Sequence, residues 1–329
     1  MFAKGYKKKL LESILELLWK QWSLLGVAGQ IGDHGSKYVL DPEALLLFSS
    51  FFARFDGRLY DLIIDWLKLN GESINIPRLK ALLKKFPAAD KKSLAYTANC
   101  TATKKLCAFA QSVKEIKVEC VEPLFLSADG TTENFIPRPD EAARLWGFER
   151  NQYLPGRKVV NFSGNTPAAL LLRLRGVFGL SARAEAVLAL LNKEFCRIQD
   201  VAECGKFSWK TASDVLAELT LSGVVVTLDS QKRGRDYFLK DAQAMETLFG
   251  VEEVIFPDWQ TIFNTIGAVY QVFCNPNVEK VSEKTVSSEL RNAFLREGGK
   301  ELHKCGIPAL ARLTPETIPE LPQIISELI

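Results

Sequence analysis

The sequence has little histidine: only His34 and His303 occur in 329 residues, and neither belongs to an H-x-x-x-H or H-E-x-x-H pattern. Its seven cysteines are scattered and contain no C-x-x-C pair. A structural zinc site normally needs closely spaced Cys and His pairs, so we predict no metal site. An odd number of scattered cysteines without a secretion signal predicts reduced, mostly buried thiols in a cytoplasmic protein.

Long apolar runs are also absent. Nowhere do roughly 18 apolar residues follow one another, as a membrane-spanning helix requires, so we expect no transmembrane segment and no membrane partner. The lysines at the amino terminus resemble the start of a signal peptide, but charged residues interrupt the apolar stretch that follows. That stretch instead has helical spacing. Its apolar stripe comprises Leu10, Leu11, Ile14, Leu17, Leu18, Trp22 and Leu25. We favour a helix docked on the core or on a second subunit over one lying on a membrane surface.

The common catalytic motifs are missing. The sequence contains no G-x-x-x-x-G-K-[ST] loop, no G-x-G-x-x-G after a strand and no G-x-S-x-G nucleophile elbow. A Cys–His nucleophile pair is a weak alternative, because either histidine can approach a cysteine in space. We therefore predict that the protein is not an enzyme and requires no metal or organic cofactor.

Net charge is small, at +3, but its distribution is uneven. Residues 78–114 hold nine basic residues against one acidic residue, and residues 115–149 hold eight acidic against three basic residues. The basic block has three interpretations: contact with phosphates, a solvated face, or a surface on which the acidic block rests. Charge alone does not choose among them.

The composition is that of a globular protein, with 47% hydrophobic and 25% charged residues. The length suggests two or three domains. Residues 1–117 have helical patterning, and Asp41-Pro42-Glu43 is a strong helix start. Prolines and turns make 118–166 an irregular, ordered connector. We predict a winged-helix domain over 167–240, argued below, and a C-terminal helical region over 241–329.

The most informative segment is residues 181–239. Ser181 is placed to cap a first helix, a short second helix follows, and Gly205 supplies a sharp turn. Ser208 is placed to cap a third helix, which Gly223 ends. Two apolar strands then flank a basic, Gly-containing turn and predict a hairpin.

This order resembles the winged helix-turn-helix fold, and is closest to the MarR- and ArsR-like transcriptional regulators. The matching residues are Ala202, Gly205, Phe207-Ser208, Val215, Leu219, Gly223, the Val224–Val226 strand and the wing at 229–236, DSQKRGRD. The resemblance covers about 60 of 329 residues. It implies a mainly α, multi-domain protein whose central winged helix-turn-helix domain has three helices and a two-stranded β-wing.

If the family's geometry holds, the third helix enters the major groove of duplex DNA with its amino-terminal end leading. The resemblance then assigns DNA contacts to Ser208, Trp209, Lys210, Thr211 and Ser213 on that helix. It assigns further contacts to Lys232, Arg233 and Arg235 on the wing. Arg173 and Arg175, before the first helix, are expected to add backbone contacts. The implied function is a DNA-binding transcriptional regulator, acting as a homodimer.

A winged helix also serves as a protein-interaction module without DNA binding. Residues 173–240 hold eleven basic against eight acidic residues, a modest excess, and the third helix carries Asp214 and Glu218. Trp209, if exposed, suits a protein contact as well as a base contact. Protein binding therefore stays an alternative function. A third class of function, a small-molecule sensor that uses the aromatic-rich helical domains, is compatible with DNA binding.

Overall fold

A computed structural model describes residues 2–27, 37–114, 120–127, 136–156, 158–162, 166–230, 234–275 and 277–328. The chain is mainly helical, as the sequence predicts, with 63% of it in helices and small sheets of two strands each. Within these ranges no helix combines the length and the apolar character needed to cross a membrane.

Six helices form the first part of the chain. They are α1 Phe2–Leu24, α2 Pro42–Phe52, α3 Gly57–Asn70, α4 Ile76–Leu83, α5 Lys91–Asn99 and α6 Lys104–Val113. The predicted start of α2 is confirmed, because the Asp41 carboxylate accepts a hydrogen bond from the Ala44 amide at 3.0 Å. Asp56 caps the next helix, α3, and accepts hydrogen bonds from the amides of Arg58 and Leu59.

The apolar stripe of α1 is buried, so this helix docks on the core of its own chain. All seven predicted stripe residues have at most 3% of their surface exposed. Trp22 packs edge-on against Trp66 of α3 with ring centroids 5.2 Å apart, and its indole N–H donates to Ser49 of α2.

The connector is ordered where it is described. It contains strand β1 Glu122–Pro123, the short helix α7 Glu141–Arg144 and strand β2 Phe148–Glu149, with β1 and β2 parallel. Arg54, from the turn after α2, holds it by donating to the Leu124 carbonyl at 2.9 Å and to Asp90 at 2.6 Å.

The described residues of the rest of the chain add eight α-helices and a hairpin. They are α8 Leu170–Phe178, α9 Ala182–Asn192, α10 Ile198–Gly205, α11 Trp209–Leu221, β3 Val225–Ser230, β4 Gly234–Leu239, α12 Ala242–Phe249, α13 Trp259–Val272, α14 Glu283–Arg296 and α15 Leu321–Ser326. The helices and hairpin expected between 181 and 239 are therefore present as elements.

Two hydrophobic cores organise these elements. The second core holds α8 to α12 and reaches Val254, with Val39 added from the first part of the chain. Residues from Trp259 onward join the first core instead. There the ring of Phe263 in α13 stacks on the ring of Phe48 in α2, with ring centroids 4.4 Å apart. The C-terminal region predicted from residue 241 therefore divides between the two cores.

Candidate nucleic-acid interface

The candidate interface lies on a compact group formed by α9, α10, α11 and the β3–β4 hairpin. The inward side chains of α9 and α11 are buried, including Val187, Leu188 and Leu216. The hairpin is antiparallel, with Val225 opposite Leu239 and Ser230 opposite Gly234. We call α9, α10 and α11 the three-helix unit.

A short bridge fixes the hairpin to this unit. Cys196, in the loop after α9, pairs with Tyr237 of β4 through backbone hydrogen bonds of 3.0 and 2.9 Å. Cys196 is fully buried. This pairing attaches strand β4 to the loop that follows α9.

The turn between α10 and α11 sets the position of the third helix. Its left-handed residue is Lys206, with φ +57°, and not Gly205 as the sequence suggests. Gly205 is required for a different reason, because a Cβ there would lie 1.8 Å from the ring of Phe207. The Phe207 amide donates back to the Ala202 carbonyl at 3.2 Å, which closes the turn.

Ser208 caps α11 as predicted. Its hydroxyl accepts from the Thr211 amide at 3.1 Å and lies 2.9 Å from the Thr211 hydroxyl. The other first-turn amides have no partner within the helix and lie at the positive end of its dipole.

The predicted contact residues on α11 lie together at this end. Ser208, Trp209, Lys210 and Thr211 are exposed, and Ser213 is half-buried. Among the described residues Lys210 has no carboxylate partner. A free ammonium, hydroxyls and unpaired amides at one helix end form a surface that suits an anion.

On the hairpin, one predicted residue is described. Arg235 is exposed, and its Nε lies 3.0 Å from an Asp229 carboxylate oxygen across the hairpin. Lys232 and Arg233 lie outside the described residues. An exposed pair of this kind is weak, so a phosphate can compete with Asp229 for Arg235.

The prediction that Arg175 contacts phosphate is wrong. Arg175 is 3% exposed and donates to Glu43 at 2.7 and 2.9 Å and to Glu185 at 2.9 Å. Arg173 is half-buried, with its guanidinium 5.3 Å above the ring of Phe249, and burial lowers its pKa. Its role as a backbone contact stays a prediction.

Arg175 belongs to a buried ion network that sequence reasoning missed. The network comprises Asp41, Glu43, Arg78, Arg175 and Glu185, all under 4% exposed. Arg78 binds Asp41 with two hydrogen bonds of 2.6 Å and Glu43 at 2.9 Å. Burial alone would raise the pKa of Asp41, but Arg78, the Ala44 amide and Arg175 together outweigh burial and lower that pKa.

The network also locates the interface within the molecule. Asp41 and Glu43 lie at the start of α2, Arg78 lies on α4, Arg175 on α8 and Glu185 on α9. It therefore fixes the three-helix unit against the N-terminal helices. No sequence pattern indicates this network. Its members lie in segments that the sequence identifies as a helix start, a basic block and a helix flank.

A cleft of about 510 Å³ opens beside the α10–α11 turn. Its lining includes Lys193, Lys206 and Lys304 and the thiols of Cys196, Cys204 and Cys305. Burial raises the pKa of each of these three thiols to about 12, so they are protonated at neutral pH. In the part of the chain that is described, no three His, Cys, Asp or Glu side chains form a group able to hold a metal ion.

Comparison of the chain with protein-family models, curated proteins and solved structures finds no match.

Proposed function

We propose that residues 181–239 are a winged helix-turn-helix domain that binds duplex DNA, and that the protein is a transcriptional regulator. The observation that carries this proposal is the exposed amino-terminal end of α11, capped by Ser208 and bearing the unpaired Lys210. The three-helix unit and the attached hairpin supply the frame that the fold requires.

The start of α11 has the chemistry for phosphate and base contacts. Lys210 suits a phosphate or a guanine edge, and the hydroxyls of Ser208 and Thr211 suit phosphate oxygens. Positive charge at the helix end attracts an anion. Affinity would come mainly from phosphate contacts, with limited base readout.

The β3–β4 hairpin is proposed as the wing. Arg235 and its neighbours Lys232 and Arg233 would meet the backbone or the minor groove beside the helix. Asp229 opposes this contact in two ways. It already forms an ion pair with Arg235, and its negative charge repels a phosphate.

Exposed apolar side chains favour a second candidate function, protein binding. Trp209 is 58% exposed, Leu221 at the end of α11 is 91% exposed, and Leu228 on β3 is 63% exposed. Exposed aromatic residues commonly anchor protein interfaces. This candidate function predicts an affinity for the protein partner that falls little as the salt concentration rises.

We predict salt-dependent binding of the wild-type protein to a fluorescent, mixed-sequence duplex of about 30 base pairs. With about five phosphates neutralised by α11 and the hairpin, these contacts alone are expected to contribute roughly −4 to −5 to the log–log slope of affinity against salt. Affinity should fall by at least a few hundred-fold between about 50 and 200 mM salt, which fluorescence anisotropy measures.

The same titration tests assembly. A homodimer would place two third helices on neighbouring half-sites, so saturation at two chains per duplex supports it. Absence of binding at tens of micromolar and low salt would contradict the DNA proposal and favour the protein-binding module.

A further inference from the structure

Five lysines on the packed helices α4, α5 and α6 and the turn after α4 are exposed, and together we call them the lysine face. They are Lys80, Lys84, Lys85, Lys91 and Lys104. The surface is built by α4, the turn after it and the first residues of α5 and α6. Helix α4 packs on α6, and Lys80 reaches across to lie 6.0 Å from the ring centre of Phe109.

The lysine face is not neutralised within the described part of the chain. None of its five lysines pairs with a described carboxylate. Lys92 binds Glu122 at 3.3 Å and Lys105 binds Glu72 at 3.3 Å, so two other lysines of the basic block are satisfied. Arg78, which the sequence counts in that block, is buried in the ion network.

The lysine face is linked to the start of α11 by one helix end. The carbonyl of Lys85 accepts hydrogen bonds from Gln260 and Asn264 of α13, at 3.1 and 2.8 Å. Asp258, which caps α13, lies 3.8 Å from the ammonium of Lys206 in the α10–α11 turn. The amino-terminal part of α13 therefore contacts both the turn after α4 and the α10–α11 turn.

The buried ion network makes the link rigid. Arg78 of α4 and Glu185 of α9 are joined through Glu43 and Arg175. The side-chain amide of Asn75, at the start of α4, also donates to Glu185 at 3.2 Å. The lysine face and the three-helix unit therefore keep a fixed relative position.

We propose that the lysine face binds the phosphate backbone of the same duplex, beyond the segment contacted by α11 and the hairpin. This inference rests on the proposed function. Lysine ammonium groups are point charges that suit phosphates without reading sequence. Such contacts lengthen the bound segment and steepen the salt dependence, because each neutralised phosphate releases counterions.

The test compares two variants with equal changes in charge. The first replaces Lys80, Lys84, Lys85, Lys91 and Lys104 with glutamine. The control replaces five exposed lysines elsewhere, which have no carboxylate partner among the described residues: Lys9, Lys158, Lys280, Lys284 and Lys300. Each protein is titrated onto duplexes of about 12 and about 30 base pairs, roughly one and three helical turns.

For the lysine-face variant, the log–log salt slope on the long duplex is expected to be shallower by about 3 to 4. Its affinity for the short duplex should stay within about twofold of wild type, and the control should match wild type on both. Equal losses in the two variants, equal losses on the two duplexes, or no loss would each overturn the proposal. Circular dichroism checks that both variants are folded.

A third variant separates this proposal from the proposed function. Lys210→Gln weakens DNA binding only if α11 contacts the duplex. Loss of long-duplex binding in the lysine-face variant alone would support the lysine face and overturn the assignment to α11. Loss of binding in Lys210→Gln alone would support the assignment to α11 and overturn the lysine face. Absence of DNA binding by the wild-type protein would overturn both proposals.

Discussion

Replacing Arg175 with methionine is expected to lower the free energy of unfolding by about 3–5 kcal/mol. Arg175 holds two fully buried carboxylates, those of Glu43 and Glu185. Without it, three buried acids face Arg78 alone, and buried charge without a partner is strongly destabilising. Urea denaturation followed by circular dichroism measures the change.

Arg183→Met is the matched control. Arg183 also lies in this part of the chain and also binds a glutamate, Glu218 at 2.6 Å, but both partners are exposed. The expected change is below about 1 kcal/mol. Similar, small effects of the two substitutions would contradict the role of the buried network.

Acid should lower the free energy of unfolding of the wild-type protein. The pKa of Asp41 is lowered in the folded protein, so its stabilising contribution is complete above its ordinary value of 3.8 and is lost as pH falls below that value. Denaturation near neutral pH and again below about pH 4 tests this.

Removing the positive charges proposed to face DNA is expected to weaken duplex binding by about a hundred-fold or more. The variant replaces Lys210, Lys232, Arg233 and Arg235 with glutamine. Each lost phosphate contact should reduce the salt slope by about 0.9. Anisotropy titrations over a range of salt concentrations measure both quantities.

A four-residue control distinguishes specific contacts from net charge. Glutamine at Lys9, Lys280, Lys284 and Lys300 removes the same charge from other parts of the surface. It should leave affinity within about twofold of wild type. If the salt slope of the first variant equals that of wild type, then the hairpin and Lys210 do not belong to the DNA interface.

Local features of the fold followed from sequence. The caps at Asp41, Ser181 and Ser208 were predictable because each depends on a side chain and amides two or three residues away. The stripe of α1 was predictable from its period, since helical spacing places it on one side. The β-branched run after Gly223 identified strand β3 for the same local reason.

Long-range pairing did not follow from sequence. Arg175 and Glu43 are separated by 132 residues, and no spacing rule connects them. From the sequence alone, Arg175 is therefore predicted to be free for phosphate and Arg78 to be a surface charge. The left-handed conformation of Lys206 was also missed, since glycine is the usual residue there and Gly205 is adjacent.

Hydrogen exchange with and without duplex tests the central claim most directly. The first-turn amides of Trp209 and Lys210 have no partner within the helix, so their exchange reports contact at that helix end. We predict slower exchange on adding duplex in peptides covering 208–214 and 229–236, with peptides from α14 unchanged. Bound duplex with unchanged exchange in both segments would contradict the proposal that α11 and the hairpin contact DNA.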